Sequence, residues 1–282
     1  MIQKRKTVVI TGTSTGIGKA SALHLDMLGF NVFAGVRKQT DGDNLKKEAS
    51  ANLKPIILDV TDENSIEKAV NLIEKETDGE LFGLVNNAGI SLNGPLELIP
   101  LPEIKMLMDV NVTGLLAVTK AFLPQIRKNE GRIVNISSGH GILAIPDKSV
   151  YAASKFAVQA ISDSLRVELR PFGVNVSNIV VGKVNTDVLG KILADRKKMI
   201  ELSDPNIVKL YSKLIEFFDR EVKNIPGIDA IEIAKVIAQA LTSKKPKPQY
   251  IVGPGALKMK KLAGLPQKLR DLMMYKAIFK IT

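Results

Sequence analysis

The apolar positions of this chain fall into short continuous runs separated by longer amphipathic stretches. Lys6–Gly12 (KTVVITG) is β-branched and ends in glycine, the pattern of a strand buried on both faces. Ile17–Gly29 follows with a helical repeat and a glycine stop. The alternation then continues. It predicts further strands at Asn31–Val36, Pro55–Leu58, Leu81–Val85, Gly131–Ile136, Gly173–Val181 and Gln249–Val252. Helices are predicted at Thr61–Lys75, Ile104–Lys128, Val150–Leu169 and Ala230–Leu241. Thr61 is the expected cap of its helix, where Ile66, Ala69, Val70 and Ile73 form one face. Strands alternating with helices imply an α/β fold: a doubly wound parallel sheet of about seven strands, covered by helices on both sides.

Composition narrows this picture. A chain of 282 residues, 45% hydrophobic, can bury one large core, and no linker or repeat divides it. A single domain is expected. The chain has no cysteine, which excludes disulfides, thiolate catalysis and cysteine–zinc sites. His24 and His140 are too few for a histidine-built metal site, so no metal is expected. No apolar run reads as a transmembrane span, and MIQKRKTVVITG enters a strand without room for a signal peptide. These features predict a cytoplasmic protein, at most peripheral to a membrane.

The net charge of +11 is unevenly spread. From Ala240 onward there are ten Lys or Arg against one acid, Asp271. Such a tail is either a solvated surface or a patch drawn to an anionic membrane or acidic partner.

Two stretches carry chemistry. Thr11-Gly12-Thr13-Ser14-Thr15-Gly16-Ile17-Gly18 joins the first strand to the first helix. Glycines there let backbone approach a pyrophosphate, and the helix N-terminus attracts its charge. NAD sites usually place an acid about 20 residues further on. That place holds Gly35-Val36-Arg37-Lys38. Arg37 is suited to a 2′-phosphate, which favours NADP(H) and leaves NAD(H) open. The plainer alternative is two surface cations. The second stretch is Tyr151-Ala152-Ala153-Ser154-Lys155, which puts Tyr151 and Lys155 on one helix face. A phenol with a reference pKa of about 10 becomes a usable base when an ammonium pulls it down.

Four motifs, in order, resemble the short-chain dehydrogenase/reductases: Thr11-Gly12-x-x-x-Gly16-x-Gly18, Asn86-Asn87-Ala88-Gly89, Asn111, and Ser138 with Tyr151-x-x-x-Lys155. The likeness extends over about Lys6 to Val252 and is similar to the retinol and 17β-hydroxysteroid dehydrogenase-like branch. It implies a Rossmann-type fold with Tyr151 as general acid/base and Lys155 lowering its pKa and holding the nicotinamide ribose. Ser138, preferred over Ser137, would orient the substrate oxygen, and Asn111 would hold a relay water. The cofactor would be lined by Gly12, Ser14, Gly16, Ile17, Gly18, Arg37, Asp59, Val60, Asn87, Ala88, Gly89, Tyr151, Lys155, Val184 and Thr186. The usual proline after the sixth strand is missing from Val181-Gly182-Lys183-Val184-Asn185-Thr186.

The resemblance also implies a substrate lid over residues 187–227, rich in Leu193, Met199, Tyr211, Leu214, Phe217 and Phe218. With Leu92, Ile142 and Leu143 at the edge, and no cation evident for a small acid, it points to a small apolar substrate: a steroid, retinoid or lipid alcohol. His140 is expected at the pocket rim. The extension 254–282 is read as one apolar helical face among cations, able to touch a membrane, cover the pocket or meet a partner subunit. The helices Ile104–Lys128 and Val150–Leu169 resemble those of the family's homodimer and homotetramer interface. A 3-oxoacyl-carrier-protein reductase and a non-catalytic nucleotide sensor are the competing readings. No nucleic-acid recognition motif accompanies the basic residues.

Overall fold

The computed structural model describes residues 5–185 and 188–279. Nine strands run through them: β1 (Thr7–Ile10), β2 (Asn31–Val36), β3 (Leu53–Ile57), β4 (Gly83–Asn86), β5 (Arg132–Ser138), β6 (Asn175–Val181), β7 (Val184–Asn185), β8 (Ile228–Asp229) and β9 (Gln249–Val252). Seven form one parallel sheet in the order β3-β2-β1-β4-β5-β6-β9. Strand order reverses between β1 and β4, the crevice where ligands bind in open α/β sheets. The helices are α1 (Gly16–Met27), α2 (Gln39–Lys46), α3 (Glu63–Thr77), α4 (Leu101–Met108), α5 (Gly114–Lys128), α6 (Ser149–Glu168), α7 (Val188–Glu201), α8 (Pro205–Leu210), α9 (Ser212–Asn224), α10 (Ala230–Thr242), α11 (Pro254–Ala263) and α12 (Gln267–Phe279).

Alternation along the strands divides the core into two layers. Val8 and Ile10 face Leu25 of α1 and Ile237 and Leu241 of α10. Val9 faces the other way, among Leu84, Phe122 and Ile126. This two-sided burial is why the strands read as continuous apolar runs.

Several elements depart from the sequence expectation. The polar helix α2 was not foreseen, because it buries only Gly42 and Leu45. Asp62, not Thr61, caps α3: its carboxylate accepts from Asn64 N at 2.9 Å. Thr61 instead donates its hydroxyl to Asp59 at 2.7 Å. β3 starts two residues before Pro55, which an edge strand tolerates. α4 and α5 form one continuous helix, Leu101–Lys128, through a widened turn at Asp109–Thr113. By length and composition this helix could cross a membrane, against the expectation that no segment could. Its Val118, Phe122 and Ile126 are wholly buried in the core instead.

The lid segment is helical, as α7, α8 and α9. The two-residue strands β7 and β8 pair at its base. The tail is two helices, broken between Ala263 and Gln267, rather than one. Gly264 and Pro266 fall in that break. α11 packs on the turn after Ser138, and α12 packs on α9.

Candidate active site

The glycine turn is knotted to the end of β4. Thr11 Oγ1 accepts from Asn87 N at 3.0 Å and Ala88 N at 2.9 Å. Asn87 Nδ2 donates to Thr11 O and Gly12 O, both at 2.9 Å. Gly12 has φ +67° and Gly16 φ +56°, conformations that glycine adopts freely. A Cβ on Gly18 would stand 2.1 Å from Gly12 O and 2.5 Å from Asn87 Nδ2. The turn therefore opens α1 with bare backbone, and Ser14 is exposed there. These residues fit a dinucleotide pyrophosphate, because the cradle has no side chain in the way and ends at a helix N-terminus. Ile17 lies half-buried in the first turn of α1.

Ser138 ends β5 and Tyr151 lies in the first turn of α6. The Ser138 hydroxyl is near enough to act on the Tyr151 phenol. Ser137 points the other way, donating to Lys155 O at 3.3 Å. Lys155, one turn beyond Tyr151, donates to Ile136 O at 3.0 Å and sits 5.9 Å from the Tyr151 ring centroid. Burial pulls its ammonium down to about 8. Burial also pushes the Tyr151 phenol up, with the Ser138 hydroxyl drawing it partly back. Desolvation is the larger of these two effects on Tyr151.

Asn111 lies on the widened turn and is 1% exposed. Its Oδ1 accepts from Ile90 N at 2.8 Å, and its Nδ2 donates to Ile90 O at 2.9 Å and Ser154 Oγ at 3.0 Å. Both amide protons are engaged, and Oδ1 keeps one lone pair beside its bond from Ile90 N. Gly89 closes the group: a Cβ there would lie 3.3 Å from Asn111 Oδ1 and 3.5 Å from Lys155 Nζ.

Around this set the walls are apolar on one side and charged on the other. Tyr151 shares one apolar cluster with Ile90, Leu92, Leu107 and Met199 of the lid. His140 meets Tyr151 edge-on at 5.8 Å. Burial, and then Lys148, push His140 down to about 4, so its ring is neutral. Lys148 is lowered to about 8, mainly by burial. Its charge acts on His140; the sequence did not single out this cation. Next to it, buried Asp147 binds Arg196 of α7 at 2.9 Å, and Arg196 also binds Asp219 of α9 at 2.6 Å. Sequence reasoning missed Arg196, one cation among many in the lid, since neither acid is near it in the chain. Leu214 and Phe218 pack with Ile278 of the tail rather than at Tyr151.

The remaining cofactor positions divide. Arg37 is exposed just past β2, without a side-chain partner among the described residues, and α2 begins two residues later. Val36 is buried against Gly42. Asp59 binds Thr61, as a turn residue does, and Val60 is buried against Gly114. Val184 pairs with Ile228 in the small sheet. Thr186 lies outside the described residues.

A glycine turn at the switch point of a parallel sheet, beside a Ser–Tyr–Lys set, defines a nicotinamide-dependent oxidoreductase class. The short chain dehydrogenase family matches residues 6–197, and the chain belongs to that family, in its retinol and steroid dehydrogenase-like branch. It is 37% identical over 257 residues to the 3-amino-tetrahydro-pyrrolizinone reductase of Xenorhabdus hominickii, covering 89% of this chain and 88% of that protein. It is 32% identical to the NADPH-dependent 3-dehydrocapnine reductase of Ornithobacterium rhinotracheale, covering 97% and 98%. It is 31% identical to human dehydrogenase/reductase SDR family member 9, covering 96% and 88%. Among solved structures, a Streptomyces avermitilis short-chain dehydrogenase superposes with TM-score 0.78, 26% identity and full coverage of both chains. ElxO with NADP bound superposes with TM-score 0.73 and 26% identity, covering 90% of this chain and all of that one. The protein is an NAD(P)-dependent oxidoreductase acting on alcohol or ketone groups.

Proposed function

We propose that this oxidoreductase moves hydride between NADP(H) and the CH–OH or C=O carbon of a bulky apolar alcohol or ketone, such as a steroid, retinoid or lipid alcohol. When bound, the nicotinamide gives or takes the hydride. In the reducing direction Tyr151 gives its proton to the carbonyl oxygen as the carbon becomes a carbinol; in oxidation it takes that proton back. Ser138 holds the same oxygen through its hydroxyl and favours the charge that develops there. Lys155 holds the ribose hydroxyls and favours the phenolate, and the widened turn at Asn111 gives main chain to a relay water. The observation that carries this reading is that the Ser138 hydroxyl acts on the Tyr151 phenol, with Lys155 one helical turn beyond. The cluster of Ile90, Leu92, Leu107 and Met199 supports an apolar substrate. Exposed Arg37, unpartnered among the described residues, and the NADPH-dependent relative support NADP(H) over NAD(H). Exposed Leu116, Phe156 and Val167 on α5 and α6 support a homodimer or homotetramer. We place the protein in the cytoplasm.

The experiment is titration of NADP(H) and NAD(H), then turnover of a panel of steroid, retinoid and aliphatic ketones by the parent and Tyr151→Phe. The variant is expected to bind NADPH normally and lose about 10²- to 10⁴-fold in turnover. Near-normal turnover would sink the assignment.

Lys148 favours a narrower second reading. Among the described residues its ammonium makes no hydrogen bond or close ion pair; it feels the charge of Asp147 and acts in turn on His140, which meets Tyr151 edge-on. A substrate with an anionic group would supply a close pair. Lys148→Met should raise KM for a keto acid and leave that of the matching uncharged ketone unchanged; equal effects on both would remove this reading.

A further inference from the structure

α12 turns one side to the body of the protein and leaves a second, apolar stripe uncovered among the described residues. The inner positions Arg270, Met274 and Ile278 recur every four residues and are the less exposed ones. Ile278 is 5% exposed and packs with Leu214 and Phe218 of α9. On the far side of the helix, Leu269, Leu272, Met273 and Phe279 recur at three- and four-residue spacing, each 42–47% exposed. Lys276 lies within that outer stripe and Lys268 at its edge. The preceding α11 adds exposed Leu257, Lys258, Lys260 and Lys261.

We propose that α11 and α12 dock this protein on an anionic lipid surface. Residues 254–279 carry six cations and one acid, Asp271. A second copy of the same face would oppose cation to cation, which disfavours self-pairing. An anionic bilayer answers both halves of the pattern: headgroups match the lysines, and the acyl boundary takes the leucine, methionine and phenylalanine side chains. The placement gives docking a use. Met259 of α11 covers Gly139, where a Cβ would lie 2.6 Å from its Sδ, directly after Ser138. α12 rests on α9 of the lid. A bilayer held by these helices adjoins both edges of the site, so an apolar substrate enters from lipid without crossing water. The surface does not depend on the hydride-transfer reading.

The test is co-sedimentation of the full chain with phosphatidylcholine vesicles, with and without phosphatidylglycerol. Binding is expected only to the anionic vesicles, and it should be lost at about 0.5 M salt. Leu272→Asp with Met273→Asp, and separately Lys268→Glu with Lys276→Glu, should each weaken it about tenfold or more. NADPH titration without vesicles should be unchanged in both variants, which shows that they fold and separates this result from a failure of the cofactor reading. Absence of binding to anionic vesicles, or binding unmoved in both folded variants, overturns the proposal. So does sedimentation velocity showing that Leu272→Asp with Met273→Asp splits an oligomer, for the face is then a subunit contact.

Discussion

Arg196 of the lid and Asp147 at the approach to α6 are ion-paired at 2.9 Å, with side chains only 5% and 2% exposed. The bond ties α7 to a point four residues before Tyr151. Breaking one partner of a buried pair costs about 3–5 kcal/mol, because the other charge stays behind. Arg196→Met is therefore expected to lower stability sharply and raise KM for large substrates. Asp219, half exposed, should cost about 0–1 kcal/mol when changed to Asn. Thermal melts of the two variants check this, and equal losses would remove the distinction.

Lys155 gives the protein without cofactor a defined pH signature. Its folded pKa is about 8 against an ordinary 10.5. Below pH 8 the folded protein holds a charge that burial disfavours. As pH rises from 8 to 10.5 the folded state sheds that proton first, and the penalty fades. Lys155→Met removes the penalty at every pH. Its stability gain over the parent should be largest near neutrality and shrink by about pH 9.5, as read by urea unfolding. Tyr151 shifts the opposite way in both proteins and drops out of the difference. A gap that widens with pH would show the assigned cause to be wrong.

Coenzyme choice should turn on Arg37 and not on Val36. Val36 is 2% exposed, so Val36→Asp buries a carboxylate and destabilises the sheet edge. Arg37→Asp keeps the fold and places an acid at an exposed point after β2. Its NADP(H)-to-NAD(H) ratio of kcat/KM is expected to fall about tenfold or more, the loss of one charge-assisted contact. Steady-state kinetics with both coenzymes decides, and an unchanged ratio would move the selectivity elsewhere.

Gly18→Ala should abolish tight NADPH binding, since its methyl would meet Gly12 O at 2.1 Å. Gly190→Ala serves as the control. No atom lies within 4 Å of the added carbon on α7, and helix propensity favours alanine by about 1 kcal/mol. Fluorescence titration should show at least a tenfold loss for the first and none for the second. Equal affinities would mean that the turn adapts.

Much of the sheet was readable from sequence, because strands buried on both faces leave β-branched runs such as Val8–Ile10 and Ile179–Val181. The glycine turn was readable for a related reason: close backbone contact admits no other residue at Gly18. What sequence did not disclose depends on distance in space. α2 has too little buried surface to leave a periodic trace. The cap fell to Asp62 because Asp59 had already engaged Thr61. Arg196 meets acids 49 and 23 residues away. The outer stripe of α12 was visible as a pattern, but only the packing of Ile278 shows which side is used and which is left over.

One chain of polar contacts beneath the sheet has a bearing on timing as well as position. Asn86 donates to Thr119 and Asn135, and Asn135 donates to Ser162 of α6, all at 2.9 Å. Greasy surfaces slide over one another at little cost, whereas these amides fit in one alignment only. Moving α6 by a single turn, about 5.4 Å, would strand the Asn135–Ser162 bond that ends the chain on that helix. Catalytic groups tolerate misplacement of less than about 1 Å. The ladder thus acts as an indexing pin, set about three turns from Tyr151, that fixes where the phenol stops before any ligand arrives.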